Sequence, residues 1–324
     1  MIASLAKLID WSAIQVLTIR RRSSEGRNPR LEEAIQFLNG PDFIPVESQP
    51  ARVEFDSSLR FHFPTPRPCQ STENNVVHGR LYRGAKRWQE RPVIVLLHGG
   101  GNNFISHRFL FPLIARQCNH AGFNTVTLEA PYHFQRRPQR LRTWPGYLWE
   151  AEATAQAIAE IRALIGWLRE EGCSAVALWG CSFGGWLAGL ASCHDVRLAA
   201  AVLNTPGVRK NPSFAERVVW RSTRKALLEQ RVAAEALNLT VLNLTTARPV
   251  IPKENILLVE AMHDLFVPKE YIEELWQVWG QPHIWRLPHG HMSISLKGAP
   301  GFTGRVLRWL SPRLDANFSL GKNK

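Results

Sequence analysis

The sequence predicts an α/β fold, a largely parallel central sheet with helices on both faces. Three observations carry that prediction. Short apolar runs recur along the chain and end in glycine or a polar residue, helical periodicities separate them, and a glycine-rich turn joins one run directly to a helix. With 324 residues, 45% of them hydrophobic, the chain is long and apolar enough for one large domain with a modest insert, which excludes disorder as a description of the whole.

Met1 to Ile19 places Ile2, Leu5, Ile9, Ala13 and Val16 at helical spacing, interrupted by Lys7 and Asp10 and followed by Arg20, Arg21 and Arg22. Charge after the apolar stretch is the wrong order for a secretory signal. Such a helix either packs on its own domain or a second subunit, or lies on an anionic membrane surface. No later stretch reaches the roughly 18 consecutive apolar residues of a spanning helix.

Residues 41 to 92, rich in Pro and Arg, read as an antiparallel or irregular lead-in with extended segments at Ala51 to Phe55 and Leu59 to Phe63. From Val93 the pattern changes. Val93 to Leu97 is a continuous apolar run, as expected of a strand covered on both faces. A helix is expected at Phe109 to Asn119, a strand at Thr125 to Leu128, and a long helix at Leu148 to Glu171, where Thr154, Ile158, Ile161, Ile165 and Leu168 share one face. Gly172 stops that helix; Ala175 to Leu178 is the next strand and Trp186 to Ala191 the next helix. Strands at Leu198 to Leu203, Ile256 to Glu260 and Ile284 to Leu287, with helices at Lys269 to Val278 and Gly304 to Leu310, complete the alternation. Arg209 to Val250 is too long for an ordinary connection and holds a cationic helical segment, Phe214 to Ala236.

The chemistry centres on Gly180-Cys181-Ser182-Phe183-Gly184, a G-x-S-x-G motif that follows a strand and opens a helix. In that context the glycines permit a tight turn that lifts the Ser182 hydroxyl clear of the sheet. A serine alcohol is a poor nucleophile until a base accepts its proton, so a histidine held by an acid is required. Asp264 follows the strand at Ile256, and His291 follows the next strand across Pro288-His289-Gly290, which puts both on the loop edge that receives Ser182. His98-Gly99-Gly100-Gly101 ends another strand, where the N–H groups of Gly100 and Gly101, with that of Phe183, are positioned to face a developing oxyanion.

These pieces, in the chain order Ser, Asp, His, resemble the alpha/beta-hydrolase superfamily from about Val93 through Met292. Within it, His98-Gly99-Gly100-Gly101-Asn102-Asn103, Glu129-Ala130-Pro131-Tyr132-His133, Gly180 to Gly185 and Gly290-His291-Met292-Ser293 are similar to a poorly characterised branch of abhydrolase-domain proteins. The resemblance implies a mostly parallel sheet, a cap inserted after the superfamily's sixth strand, catalytic Ser182, Asp264 and His291, and no cofactor. The expected organisation is an N-terminal helical extension (1–40), a hydrolase domain in two parts (41–208 and 251–324), and a helical cap between them (209–250). Two departures stand out: the lead-in does not look like the usual early strands, and the insert matches no cap pattern tied to a substrate class.

Other residues compete for these roles. His289 is the alternative base, and Glu129 and Glu260 are alternative acids at strand ends. Cys181 cannot share the projection of Ser182 on so sharp a turn and is assigned to packing. Five cysteines without C-x-x-C spacing suggest neither a disulfide framework nor a zinc ribbon, and favour a reducing compartment. The histidines lack H-E-x-x-H, and the glycine-rich turns match neither dinucleotide nor P-loop patterns, so no metal site is expected.

Lys and Arg total 40 against 27 Asp and Glu, a net charge of +13. Arg136, Arg137, Arg140 and Arg142 form one cluster, and Arg209, Lys210, Arg217, Arg221, Arg224, Lys225, Arg231 and Arg248 dominate the insert. Bordering the entrance, they favour anionic or lipid-like acyl substrates; otherwise they are a solvated surface. The expected activity is hydrolysis of a carboxylic ester or thioester by a cytoplasmic enzyme with peripheral membrane contact. The alternative is a basic scaffold of the same fold that binds membrane or nucleic acid with little catalysis. Nucleic acid is disfavoured because the charge coincides with no recognition motif.

Overall fold

A computed structural model describes residues 2–21, 36–38, 40, 43–44, 48–84, 87–100, 109–138, 147–209, 239–296 and 300–314. Nine strands form one sheet: β1 (Glu54–Phe55), β2 (Arg60–Pro64), β3 (Val76–Tyr82), β4 (Val93–Leu97), β5 (Asn124–Leu128), β6 (Val176–Cys181), β7 (Ala200–Asn204), β8 (Ile256–Ala261) and β9 (His283–Leu287). Their order is β1-β2-β3-β5-β4-β6-β7-β8-β9. β1, β2 and β3 pair antiparallel and β3 pairs antiparallel with β5, while every pairing from β5 to β9 is parallel. The lead-in therefore contributes true sheet strands. β3 goes beyond the two segments expected there; Val77 and Leu81 are buried within an alternation diluted by His78, Gly79 and Arg80.

The parallel strands are buried on both faces, and the period of two sorts their side chains. Val93, Val95 and Leu97 of β4 enter one apolar cluster and Ile94 and Leu96 the other. The first cluster is closed by Ile158, Ile161, Ile165 and Leu168 of the long helix α3 (Tyr147–Glu170), with α4 (Phe183–Ser192) and α5 (Lys269–Val278). The second is closed by Phe111, Ile114 and Cys118 of α2 (Phe111–His120) and Val306, Leu307 and Leu310 of α7 (Pro300–Leu310). The sequence placed each of these helices within a few residues; α6 (His291–Leu296) was not expected.

β4 has β5 on one side and β6 on the other, so the winding reverses there. Register aligns Leu97 with Gly180, Cys181 with Asn204, and Ala261 with Leu287, which brings the strands' carboxyl ends to one edge. The expected insert helix, Phe214 to Ala236, lies outside the described residues. The end of that insert is anchored: the indole N–H groups of Trp186 and Trp279 donate to the carbonyls of Leu242 and Leu244, at 2.7 and 2.9 Å.

The N-terminal helix α1 (Ile2–Arg21) packs on the domain through Ala6, Asp10 and Ile14 and leaves Leu5, Leu8 and Trp11 exposed. The burial phase is thus one residue off the apolar stripe, because Asp10, the residue that breaks the stripe, is wholly buried. Arg136 likewise departs from expectation. It is a buried ion-pair partner of Glu160, its guanidinium 2.6 Å from the carboxylate, and so cannot serve as entrance charge. Thr65 donates to the same carboxylate and Arg136 also donates to the Asn74 carbonyl, which ties the lead-in to α3. Arg209 pairs with Glu274, whereas Arg137 and Arg248 are exposed and Arg140 and Arg142 lie outside the described residues.

Candidate active site

Ser182 stands at the junction of β6 and α4 with φ 55° and ψ −113°, a conformation non-glycine residues rarely adopt. Its flanking glycines are dictated by space. A Cβ on Gly180 would lie 2.0 Å from the Gly184 carbonyl oxygen, and one on Gly184 would lie 2.2 Å from that of Leu97. Backbone bonds fix the turn further, since the Ser182 N–H donates to Asn204 at 2.8 Å and the Ser182 carbonyl accepts from Trp186 and Gly207.

The histidine and acid reach this turn from β8 and β9. The Ser182 Oγ lies 2.8 Å from His291 Nε2, and His291 Nδ1 lies 2.7 Å from Asp264 Oδ2. An ionised carboxylate only accepts, so in the neutral ring Nδ1 carries the proton and Nε2 offers its lone pair to the Ser182 O–H. The other Asp264 oxygen accepts the N–H groups of Phe266 and Val267 at 2.6 and 2.8 Å, which holds the acid still. Burial pushes the His291 pKa down; the Asp264 carboxylate and its hydrogen bond, with a further contribution from Asp10, outweigh burial and hold it above the ordinary histidine value. The ring is buried and the Phe266 ring lies 4.7 Å from it.

The competing residues make other contacts. Glu260 accepts from Arg286 at 3.0 Å, Glu129 accepts twice from Gln135, and the His289 carbonyl accepts the His263 N–H. The Cys181 sulfur accepts from the Asn204 amide at 3.7 Å.

Of the three expected backbone donors, Gly100 and Phe183 are described and adjacent, a Cβ on Gly100 falling 3.5 Å from that of Phe183; Gly101 lies outside the described residues. His98 organises the approach. It accepts the Ala130 N–H on Nε2 at 3.0 Å, so its Nδ1–H donates to the Gly99 carbonyl at 2.8 Å. His133 stacks on Phe183 at 5.5 Å and contacts the His98 ring at 4.9 Å, which gives Ala130 to His133 a place behind the same turn. Among the described residues no group of three or more His, Cys, Asp or Glu could hold a metal ion.

Sequence reasoning missed one polar group here. Asp10 of α1 accepts backbone N–H groups from Leu265, His291 and Met292. Its only signal was an acid inside an otherwise apolar helical stretch.

Solved structures with this architecture include the esterase Pf2001 of Pyrococcus furiosus (TM-score 0.56, 15% identity, 82% of this chain and 97% of that one). An acetyl xylan esterase from Paenibacillus sp. R4 matches at TM-score 0.56 and 15% identity, covering 91% and 98%. The alpha/beta hydrolase GrgF from Penicillium sp. sh18 matches at 0.55 and 14%, covering 79% and 98%. At these identities the likeness establishes the fold, an alpha/beta-hydrolase fold. Two uncharacterised proteins of Mycobacterium tuberculosis, from strains CDC 1551 and H37Rv, are each 28% identical over 255 residues, 74% of this chain; the chain spans 59% of their length. Residues 46–245, which include Ser182 but neither Asp264 nor His291, match the family described as alpha/beta hydrolase domain containing 18, and the chain belongs to that family.

Proposed function

We propose that the protein is a serine hydrolase that cleaves a carboxylic ester or thioester through an acyl-enzyme. The observation that carries this reading is the continuous hydrogen-bonded file from Ser182 Oγ through His291 to Asp264, on the strained turn after β6. In the first half-reaction the Ser182 hydroxyl proton passes to His291 Nε2 while Oγ bonds to the substrate carbonyl carbon and the C=O electron pair moves onto oxygen. Backbone N–H groups of Gly100, Gly101 and Phe183 stabilise that oxyanion. Its collapse expels the alkoxide or thiolate, which takes the proton from Nε2. Water then gives a proton to Nε2 and attacks the acyl carbon, and the second collapse returns the proton to Ser182. Asp264 orients the ring and favours the imidazolium in both steps.

A small cavity lined mainly by Leu97, Leu110, Phe111, Ile294 and Phe302 borders Cys181 and Asn204 next to the serine turn, and the acyl-length arm of the panel below reads whether it takes part of the acyl group. In this reading residues 209–250 are the helical cap insert between the two parts of the hydrolase domain. With Arg136 withdrawn into its ion pair, the cations proposed to attract an anionic leaving group are the exposed Arg137 and Arg248 together with the others of the 209–250 insert. The test is a panel crossing acyl length with leaving-group charge, run on wild type and Ser182→Ala. Turnover of acyl substrates by wild type and its loss in the variant are expected; turnover that persists in Ser182→Ala overturns the assignment. In the same reading, peripheral contact with anionic membranes uses the exposed Leu5, Leu8 and Trp11. Replacing all three with serine is expected to abolish co-sedimentation with anionic vesicles, and wild type that fails to sediment rejects that part.

A further inference from the structure

The mechanism uses one carboxylate, Asp264, yet a second is buried against the same histidine. Asp10 has 0% exposure and approaches from α1, 281 residues before His291 in the chain. Its Oδ2 accepts the His291 N–H at 2.8 Å and the Leu265 N–H at 3.1 Å, and its Oδ1 accepts the Met292 N–H at 2.9 Å. Leu265 adjoins Asp264, so a single carboxylate ties the backbone of the acid loop to the backbone of the base. Burial of a carboxylate is unfavourable unless donors surround it, and here three backbone donors do. Gly290 makes the approach feasible. A Cβ there would lie 2.9 Å from both the Ala6 carbonyl oxygen and the Asp10 carboxyl carbon, so any side chain before His291 would push the helix away.

Resting on the catalytic reading above, we infer that Asp10 is a positioning residue for the Ser182–His291–Asp264 file, and that α1 is thereby an integral part of the active site. It acts in two ways. Its hydrogen bonds fix the spacing of the two loops on which Asp264 and His291 ride, and its charge, held against the His291 backbone, favours the protonated ring. Among the described residues, the groups that hydrogen-bond His291 with a side chain are Asp264 from the acid loop, Asp10 from α1 and Ser182 from the serine turn. His263 and His289 sit on the two loops, whose backbones meet at 2.9 Å, and Lys7 on α1 is exposed to solvent. Asp264 and Asp10 both favour the imidazolium that forms when Ser182 gives up its proton. Loss of the Asp10 charge therefore lowers the His291 pKa, and loss of its three hydrogen bonds lets the base drift from the serine.

The test uses the full chain carrying Asp10→Asn or Asp10→Glu, each checked for folding by circular dichroism. His291 is titrated by NMR on its ring signals, a readout independent of turnover, and labelling of Ser182 by a fluorophosphonate is timed in parallel. Asparagine keeps the size but removes the charge and turns an amide N–H₂ toward backbone donors. It is expected to lower the His291 pKa and slow labelling about 10- to 100-fold. Glutamate keeps the charge in a displaced position, so the titration stays near wild type while labelling slows less. A folded Asp10→Asn protein that titrates and labels like wild type overturns the inference. If asparagine prevents folding, wild-type labelling by Asp10→Glu does the same. Failure of wild type itself to label refutes the catalytic reading alone, and the NMR comparison still decides the role of Asp10.

Discussion

The two halves of the proposed active site are built differently. The serine turn is written in a few consecutive residues, Gly180 closed against Gly184 with Ser182 at positive φ between them, and it is braced by the carboxyl ends of the flanking strands at Leu97 and Asn204. The base and acid are held from a distance: Asp264 and His291 come from successive loops, and the carboxylate that ties those loops together belongs to α1. A turn specified by a few consecutive residues and closed against the neighbouring strands is intolerant of change within. A site assembled from remote pieces responds to substitutions that touch no substrate.

The largest expected effect breaks the remote half at its acid. Asp264→Asn removes the negative partner of His291 Nδ1 and allows the other tautomer, which should lower kcat by about 10⁴-fold on any substrate the panel identifies, with the fold retained. Next is a change confined to the serine turn. Gly184→Ala places a Cβ 2.2 Å from the Leu97 carbonyl oxygen, and backbone cannot step aside as a flexible side chain can. It should destabilise the protein by about 3 kcal/mol in chemical denaturation. Gly301→Ala on α7, where an added Cβ meets nothing within 4 Å, should be neutral or stabilising by less than about 1 kcal/mol. Equal losses at the two positions would contradict the steric account.

The smallest effect concerns pH and sharpens the picture of the remote half. Protonated His291 has no lone pair on Nε2 for the serine proton, so kcat/KM should fall tenfold per unit as pH drops below its pKa. Since Asp264, helped by Asp10, holds that pKa above the ordinary value of 6.5 against the opposing pull of burial, the acid-side inflection should lie above 6.5 in wild type. It should move to lower pH in Asp264→Asn. An inflection below 6.5 in wild type would mean that burial prevails over the carboxylates.

The same division explains what the sequence revealed. The parallel strands were legible because burial on both faces writes continuous apolar runs such as Val93 to Leu97, and the Ser182 turn was legible because its glycines and serine fall within five consecutive residues. Asp264 and His291 could be placed by their position after strands. β3 was missed because His78, Gly79 and Arg80 interrupt its alternation. Arg136 was read as surface charge because nothing near it in sequence announces Glu160, 24 residues on. Asp10 was seen only as a flaw in an apolar stripe, since its partners are backbone N–H groups more than 250 residues away, and backbone donors carry no sequence signature.

The central claim, that Ser182 is a nucleophile activated by His291, is tested most directly by a fluorophosphonate probe with the modified residue located by peptide mass spectrometry. Wild type should be labelled on Ser182 and on no neighbouring residue, and Ser182→Ala should not be labelled. Labelling on Cys181 with Ser182 unmodified, or undiminished labelling of Ser182→Ala, would contradict it.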